Sequence, residues 1–219
     1  MLSKSEENYL KAIFHLSIKT EKGISTNAIA QQLDTKASSV TDMVKRLAEK
    51  ELVFYKKYQG VELTASGEKI AANVIRKHRL WEVLLVEKFN FNWDEVHEVA
   101  EQLEHIHSEK LINELDAFLG HPKYDPHGDP IPDKEGNINF VEKALLSTIA
   151  ITEKALCVGV KDTSSDFLRY LDKQGIALGK EIKVLEKEAF DNSMQIEIEG
   201  NQFVISQQIA NNIYVKNKG

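Results

Sequence analysis

His78 and Glu82 stand four residues apart, and His97, Glu101, Glu104 and His105 follow at intervals of four, three and one. At roughly 100° per residue in a helix, each set projects along a single stripe. Imidazole nitrogens and carboxylate oxygens with no thiolate among them suit Mn²⁺ or Fe²⁺ at six-coordination better than a sulfur-rich structural zinc site. The first pair shares its face with Val74, Leu85 and Phe89, while Val96, Val99, Leu103 and Ile106 take the opposite side of the second stripe. An imidazole and a carboxylate buried unpaired among apolar side chains would be costly. Two helices packed with these stripes facing one another would enclose a cation and remove that cost; a solvated polar face is the alternative reading of the second stripe.

Such a centre needs a scaffold. With 219 residues, 42% of them hydrophobic, the chain can bury a core and divide into domains. No apolar run approaches the roughly 20 residues of a membrane helix, and MLSKSEENYL lacks a signal-type hydrophobic region, so a cytoplasmic protein without a membrane partner is expected. The one cysteine, Cys157, cannot form an internal disulfide and reads as a buried structural thiol. The net charge is −6, unevenly spread: residues 1–70 hold 11 Lys/Arg against 9 Asp/Glu, and the rest holds 17 against 25. A mildly basic start joined to an acidic remainder suits a DNA reader that carries a cation site.

Leu10, Ile13, Phe14 and Leu16 recur at helical spacing between Ser3 and Ile18. Ser25 and Thr26 can cap a short helix through Leu33, and after Asp34-Thr35-Lys36 a second carries Val40, Met43, Val44 and Leu47, which makes a helix-turn-helix. Leu52–Tyr58 and Val61–Thr64 around Gln59-Gly60 read as a hairpin, the wing. With Val40, Val44 and Leu47 facing inward, Thr35, Lys36, Ser38, Ser39, Thr41, Asp42 and Lys45 are left at the start and on the outer face of a recognition helix, with Arg46 adding charge and Lys56 and Lys57 on the wing beside the flanking phosphates. Residues 65–90 form a long helix, and a further helix capped by Asp94 runs towards Leu119 with a break near Ser108; both are apolar over enough surface to want a partner, which a homodimer would supply. The segment GHPKYDPHGDPIPDKEGN holds all four prolines and marks a boundary. Beyond it, a short helix near 164–173 precedes IKVLEKE, SMQIEIE and QFVISQQ, with Gly200-Asn201 as a hairpin turn; about five short strands make a small β-barrel.

Six segments in order, EENYLKAIFHL, SSVTDMVKRL, LTASGEKIA, RKHRLWEVLL, EVHEVAEQLEHIHSE and HGDPIP, resemble the DtxR/MntR family of metal-dependent repressors over nearly the whole chain. The resemblance implies a mainly α protein with a small β domain: a winged helix-turn-helix over 1–70, a helical metal-binding and dimerisation domain over 71–140 and a FeoA-like β-barrel over 141–219. It also implies a homodimer on a palindromic operator, with metal binding that orders and orients the two winged helices. By the same resemblance a primary site uses Asn8, His78, Glu101, Glu104 and His105. A carboxylate at Glu101, where iron-type relatives place Cys, is the manganese-type choice. Asn8 departs from both the Met of iron-type and the Asp of manganese-type members, and Lys11 replaces a second acid of the short manganese-type members. A second site takes Glu82, Asp125, His127 and Asp166, or His97 in the iron-type arrangement. Mn²⁺ is thus the expected cofactor and Fe²⁺ the alternative, with other divalent transition metals able to substitute in vitro. A metallohydrolase is disfavoured because no H-E-x-x-H run or nucleophile elbow is present, and no small-molecule substrate is expected. A winged-helix regulator with an organic effector is the remaining rival.

Overall fold

The computed structural model describes residues 2–18, 20, 23–56 and 59–217. Helix α1, Lys4–Ser17, opens with a capping box in which the Ser3 hydroxyl accepts from the Glu6 amide and the Glu6 carboxylate accepts from the Ser3 amide. Its apolar stripe buries Leu10 and Ile13 completely. Ser25 caps α2, Thr26–Gln32, and a tight turn leads into α3, Ala37–Glu49, whose Val40, Val44 and Leu47 are fully buried. Strands β1, Val53–Lys56, and β2, Gly60–Leu63, pair antiparallel from Val53↔Leu63 to Lys56↔Gly60. Lys57 and Tyr58 of the expected wing lie outside the described residues. The three helices and the hairpin close over one core that includes Ile29, Val61 and Ala71.

Helix α4, Ala65–Phe89, follows at once, with the Thr64 hydroxyl accepting from the Gly67 amide. The long element expected from Asp94 towards Leu119 is two helices, α5, Val96–Leu103, and α6, Glu109–Phe118; Ser108 caps the second, so the chain interrupts the pattern near Ser108 as its sequence suggests. By packing, the chain forms two compact units. The first comprises Met1–Trp81, Ala100–His121 and Ile131–Asn139; the second comprises Glu82–Val99, Pro122–Pro130 and Phe140–Gly219. Residues 71–140, read as one helical domain, therefore divide between the two.

The second unit is built on strands β3 (Ala144–Leu145), β4 (Lys154–Val160), β5 (Glu181–Lys187), β6 (Met194–Ile198), β7 (Asn201–Ile205) and β8 (Ile213–Asn217), ordered β3-β8-β4-β5-β6-β7 and antiparallel throughout. Helix α7, Ser165–Gln174, buries Leu168 and Leu171 against Ile182, Val184, Ile196 and Val215 of the sheet, and the short α8, Gln207–Ala210, precedes β8. Ile198 pairs with Asn201, so Glu199 and Gly200, both at positive φ, make the two-residue turn one position earlier than expected. Strands β4 and β8 carry weaker sequence signals: KALCVGV is a mostly apolar run, and IYVKN, unlike β6 and β7, has no hairpin turn joining it to a neighbouring strand. Cys157 is 1% exposed, and burial pushes its thiol up to about 11, where it is inert.

The wing is tied down by two glycines. Ile24 and Val61 exchange backbone hydrogen bonds of 2.9 and 2.8 Å, which brings Gly23 against Gly60. A Cβ on Gly60, whose φ is +97°, would lie 2.5 Å from the Gly23 carbonyl carbon. Gly60→Ala should therefore cost about 2 kcal/mol or more in urea unfolding, since overpacking against backbone and a forbidden φ act together; a loss under about 0.5 kcal/mol would show that the latch is loose.

Candidate metal centre

Glu104, the first residue after α5, has no solvent exposure at all. Its carboxylate oxygens accept from the Lys11 ammonium on α1 at 2.6 and 2.8 Å, and Oε2 also lies 2.6 Å from Nδ1 of His78 on α4. Burial alone would raise its pKa, but the His78 hydrogen bond and the charge of Lys11 outweigh it, so Glu104 is held below the ordinary carboxylate range and stays ionised. His105 places Nδ1 2.6 Å from the Glu7 carboxylate and Nε2 3.7 Å from Glu104. Glu101, half-exposed on α5, stands 3.6 Å from the Lys11 ammonium. The Asn8 amide oxygen is buried and has no hydrogen-bond partner among the described residues. An orphaned acceptor is expensive unless something electropositive takes it. His78, Glu104 and His105 thus converge within the first unit, Lys11 links Glu101 to them, and Asn8 stands on the same helix as Lys11; N and O donors of this kind fit a divalent cation.

Sequence reasoning missed Glu7, which is 5% exposed and holds both His105 and, at 3.7 Å, His107. The signal was present: Glu7 and Lys11 are four apart and share one stripe of α1, whereas Glu7 reads most simply as an acidic residue of the first turn.

The second unit carries a separate group. Glu82, Asp125 and His127, at 2%, 6% and 4% exposure, bring one ligand atom each to within 4.8 Å of one another. Glu82 Oε2 lies 3.7 Å from Nδ1 of His127, and its Oε1 lies 3.6 Å from Nδ1 of His97, whose side chain is mostly exposed. The proline-rich segment is ordered here: Asp125 accepts from the amides of His127 and Asp129, which fixes the turn. His127 Nε2 lies 2.8 Å from the Trp93 carbonyl, and the two rings stack at an interplanar angle of 7°. In the neutral tautomer Nε2–H donates to that carbonyl, leaving the Nδ1 lone pair for a cation, the usual arrangement of a metal-binding histidine. Asp166 does not join the group. It sits in the first turn of α7 with its side chain in solvent, paired to Arg169 at 2.9 Å, because the start of a helix favours an i,i+3 ion pair there.

The recognition helix leaves Thr35, Lys36, Ser38, Ser39, Asp42 and Lys45 exposed, and Thr41 half-buried with its hydroxyl donating to the Ala37 carbonyl. Lys36 occupies the N-cap of α3 without a side-chain cap, so first-turn amides remain for a phosphate. Lys56 is exposed at the end of β1.

A winged helix joined to helices that carry buried N/O clusters defines a cation-responsive DNA reader. Family models agree with each part: "Iron dependent repressor, N-terminal DNA binding domain" matches residues 1–61, "Iron dependent repressor, metal binding and dimerisation domain" matches 64–133, and "FeoA domain" matches 144–217. The chain is 36% identical to the iron-dependent repressor IdeR of Mycobacterium tuberculosis over 133 residues, 60% of this chain and 56% of that protein. It is 24% identical to the diphtheria toxin repressor of Corynebacterium diphtheriae over 98% of both. Among solved structures, a manganese-dependent transcriptional repressor in complex with manganese superposes with a TM-score of 0.85 at 32% identity, covering 97% of this chain and 99% of that one. The manganese regulator SloR follows at 0.74 and 36% over 97% and 98%. The chain belongs to the DtxR family of metal-dependent transcriptional repressors, a family of DNA-binding proteins and not of enzymes. Its match to IdeR spans little more than half of that relative's length.

Burial disfavours the charged form of His127, yet the hydrogen bond and charge of Glu82, with Asp125 and the Trp93 carbonyl, raise its pKa from 6.5 to about 9. A raised folded-state pKa stabilises the fold fully below 6.5 and loses that contribution as pH climbs through 9. Metal-free protein should lose of order 3 kcal/mol more stability between pH 6 and pH 9.5 than its His127→Gln variant does. Parallel urea curves for the two proteins across that range would refute the assignment.

Proposed function

We propose that this chain is a manganese-responsive repressor of metal-uptake genes, acting as a cytoplasmic homodimer on operator DNA. The observation that carries the reading is the buried, thiol-free cluster joining α1 of the winged helix to α4 and to the end of α5. In it, Asn8, His78, Glu101, Glu104 and His105 would hold the cation. The bound cation supplies positive charge that the carboxylates, the imidazoles and the orphaned Asn8 oxygen can share. Asn8 thereby fixes α1 relative to α4 and α5, and the recognition helix packed on α1 takes up an operator-competent orientation. Hard donors and a carboxylate at Glu101 favour Mn²⁺. The alternative is an iron-responsive repressor, favoured by the neutral Asn8 and by the identity to IdeR.

Glu82, Asp125 and His127, with His97 at the rim, form the second, ancillary site. Leu111 and Phe118, exposed seven residues apart on α6, support self-association. Thr35, Lys36, Ser38, Ser39, Thr41, Asp42 and Lys45 would read the operator, with Lys56 and Lys57 on the flanking backbone. No helix among the described residues is long and apolar enough to cross a membrane.

Operator binding at fixed salt with Mn²⁺, Fe²⁺ and Zn²⁺ tests this directly. Mn²⁺ should tighten binding about a hundredfold, which needs only ~2.7 kcal/mol of coupling. Glu104→Ala with His105→Ala should remain dimeric but lose that response. Operator affinity that none of the three metals changes would favour an organic effector instead. Lys45→Ala should lower the slope of log affinity against log salt by about one per subunit, or about two for the dimer; an unchanged slope would place Lys45 off the DNA.

A further inference from the structure

Resting on the metal-centre reading, we propose that Lys11 is a tethered cation that occupies the primary site in the metal-free protein and must be expelled by the incoming divalent ion, so that it sets the concentration at which the sensor responds. The Lys11 ammonium contacts both oxygens of Glu104, at 2.6 and 2.8 Å, inside a cluster where Glu104 is fully buried. Its side chain is 15% exposed, and the third acceptor in reach is the half-exposed Glu101 at 3.6 Å, which marks the way to solvent. A cation ligated by Glu104 sits roughly 2.0–2.2 Å from a carboxylate oxygen. An ammonium held on that same carboxylate would then lie within contact of a like charge, shielded by little water. Because Lys11 holds both oxygens of Glu104, the divalent ion and the ammonium compete for them, and the metal's apparent affinity is its intrinsic affinity reduced by the share of molecules in which Lys11 is home.

The same geometry selects by charge. A monovalent ion exchanged for the ammonium gains no Coulomb energy, while a divalent ion gains a full additional charge against Glu101, Glu104 and Glu7. Lys11 lies one turn beyond Asn8 on α1, so its departure would also open the helix face that carries the unpartnered Asn8 oxygen.

Mn²⁺ binding to the full-length protein, followed by competition with a fluorescent chelator at constant pH and salt, provides the test. Lys11→Gln should bind at least about tenfold more tightly than wild type, while its metal-free form melts at a lower temperature because Glu104 loses its counter-charge. Lys11→Arg, which keeps the charge, should stay within about threefold of wild type. A folded Lys11→Gln protein with equal or weaker Mn²⁺ affinity overturns the proposal. Should Lys11→Gln fail to fold, wild-type protein with ¹³C-labelled lysine ε-carbons serves: saturation with diamagnetic Zn²⁺ should shift the Lys11 resonance to that of a solvent-exposed lysine, and an unmoved resonance overturns the idea. Wild type that binds no Mn²⁺ would instead bring down the metal-centre reading and this proposal with it.

Discussion

A carboxylate with no access to water has to be compensated on every side, and Glu104 is such a group. Its partners come from elements far apart in the chain: Lys11 from α1, His78 from α4 and its own neighbour His105 from the α5–α6 link. Removing one member of a buried pair of this kind typically costs about 3–5 kcal/mol, comparable to a large part of a small domain's stability. These contacts act beside apolar packing, since Leu10 and Ile13 of α1 share the winged-helix core with Ala71 of α4. Glu7 repeats the device one turn earlier by holding His105 and His107. Charge and apolar packing together hold α1 against α4.

The two clusters differ in how they are prepared. In the first, imidazoles and an ammonium already satisfy the acids, and only the Asn8 oxygen is unmatched. In the second, backbone does the preparation: the Asp125 turn presents His127, and the Trp93 carbonyl and ring hold it in place. The same turn recurs eight residues on, where Asp133 accepts from the amides of Glu135 and Asn137 around Gly136. A segment rich in proline thus becomes two ordered aspartate-anchored turns, one of which presents His127 beside Glu82.

Much of this was legible beforehand. Helical periodicity and capping residues located α1 to α4 to within a residue or two, and spacing alone collected Glu101, Glu104 and His105 on one stripe. What spacing could not provide was distance across the fold. His78 and Glu82 sit one turn apart on α4, and the boundary between the compact units falls between Trp81 and Glu82, which helical spacing alone does not reveal. Asp166 failed for the opposite reason: a helix start beside Arg169 offered it a local partner in solvent. Glu7 escaped because an acidic residue in a helix's first turn already has an ordinary explanation in the helix dipole.

The latch between Ile24 and Val61 has a mechanical consequence. It fastens the hairpin to the chain entering α2, while α1, α2 and α3 share one hydrophobic core with that hairpin. Reading helix and wing are thereby coupled into one lever arm with α1 as its handle. A change of less than an ångström at Asn8 or Lys11 would not need to deform that arm; a rotation about the handle would grow with distance and be largest at the exposed faces of α3 and the hairpin.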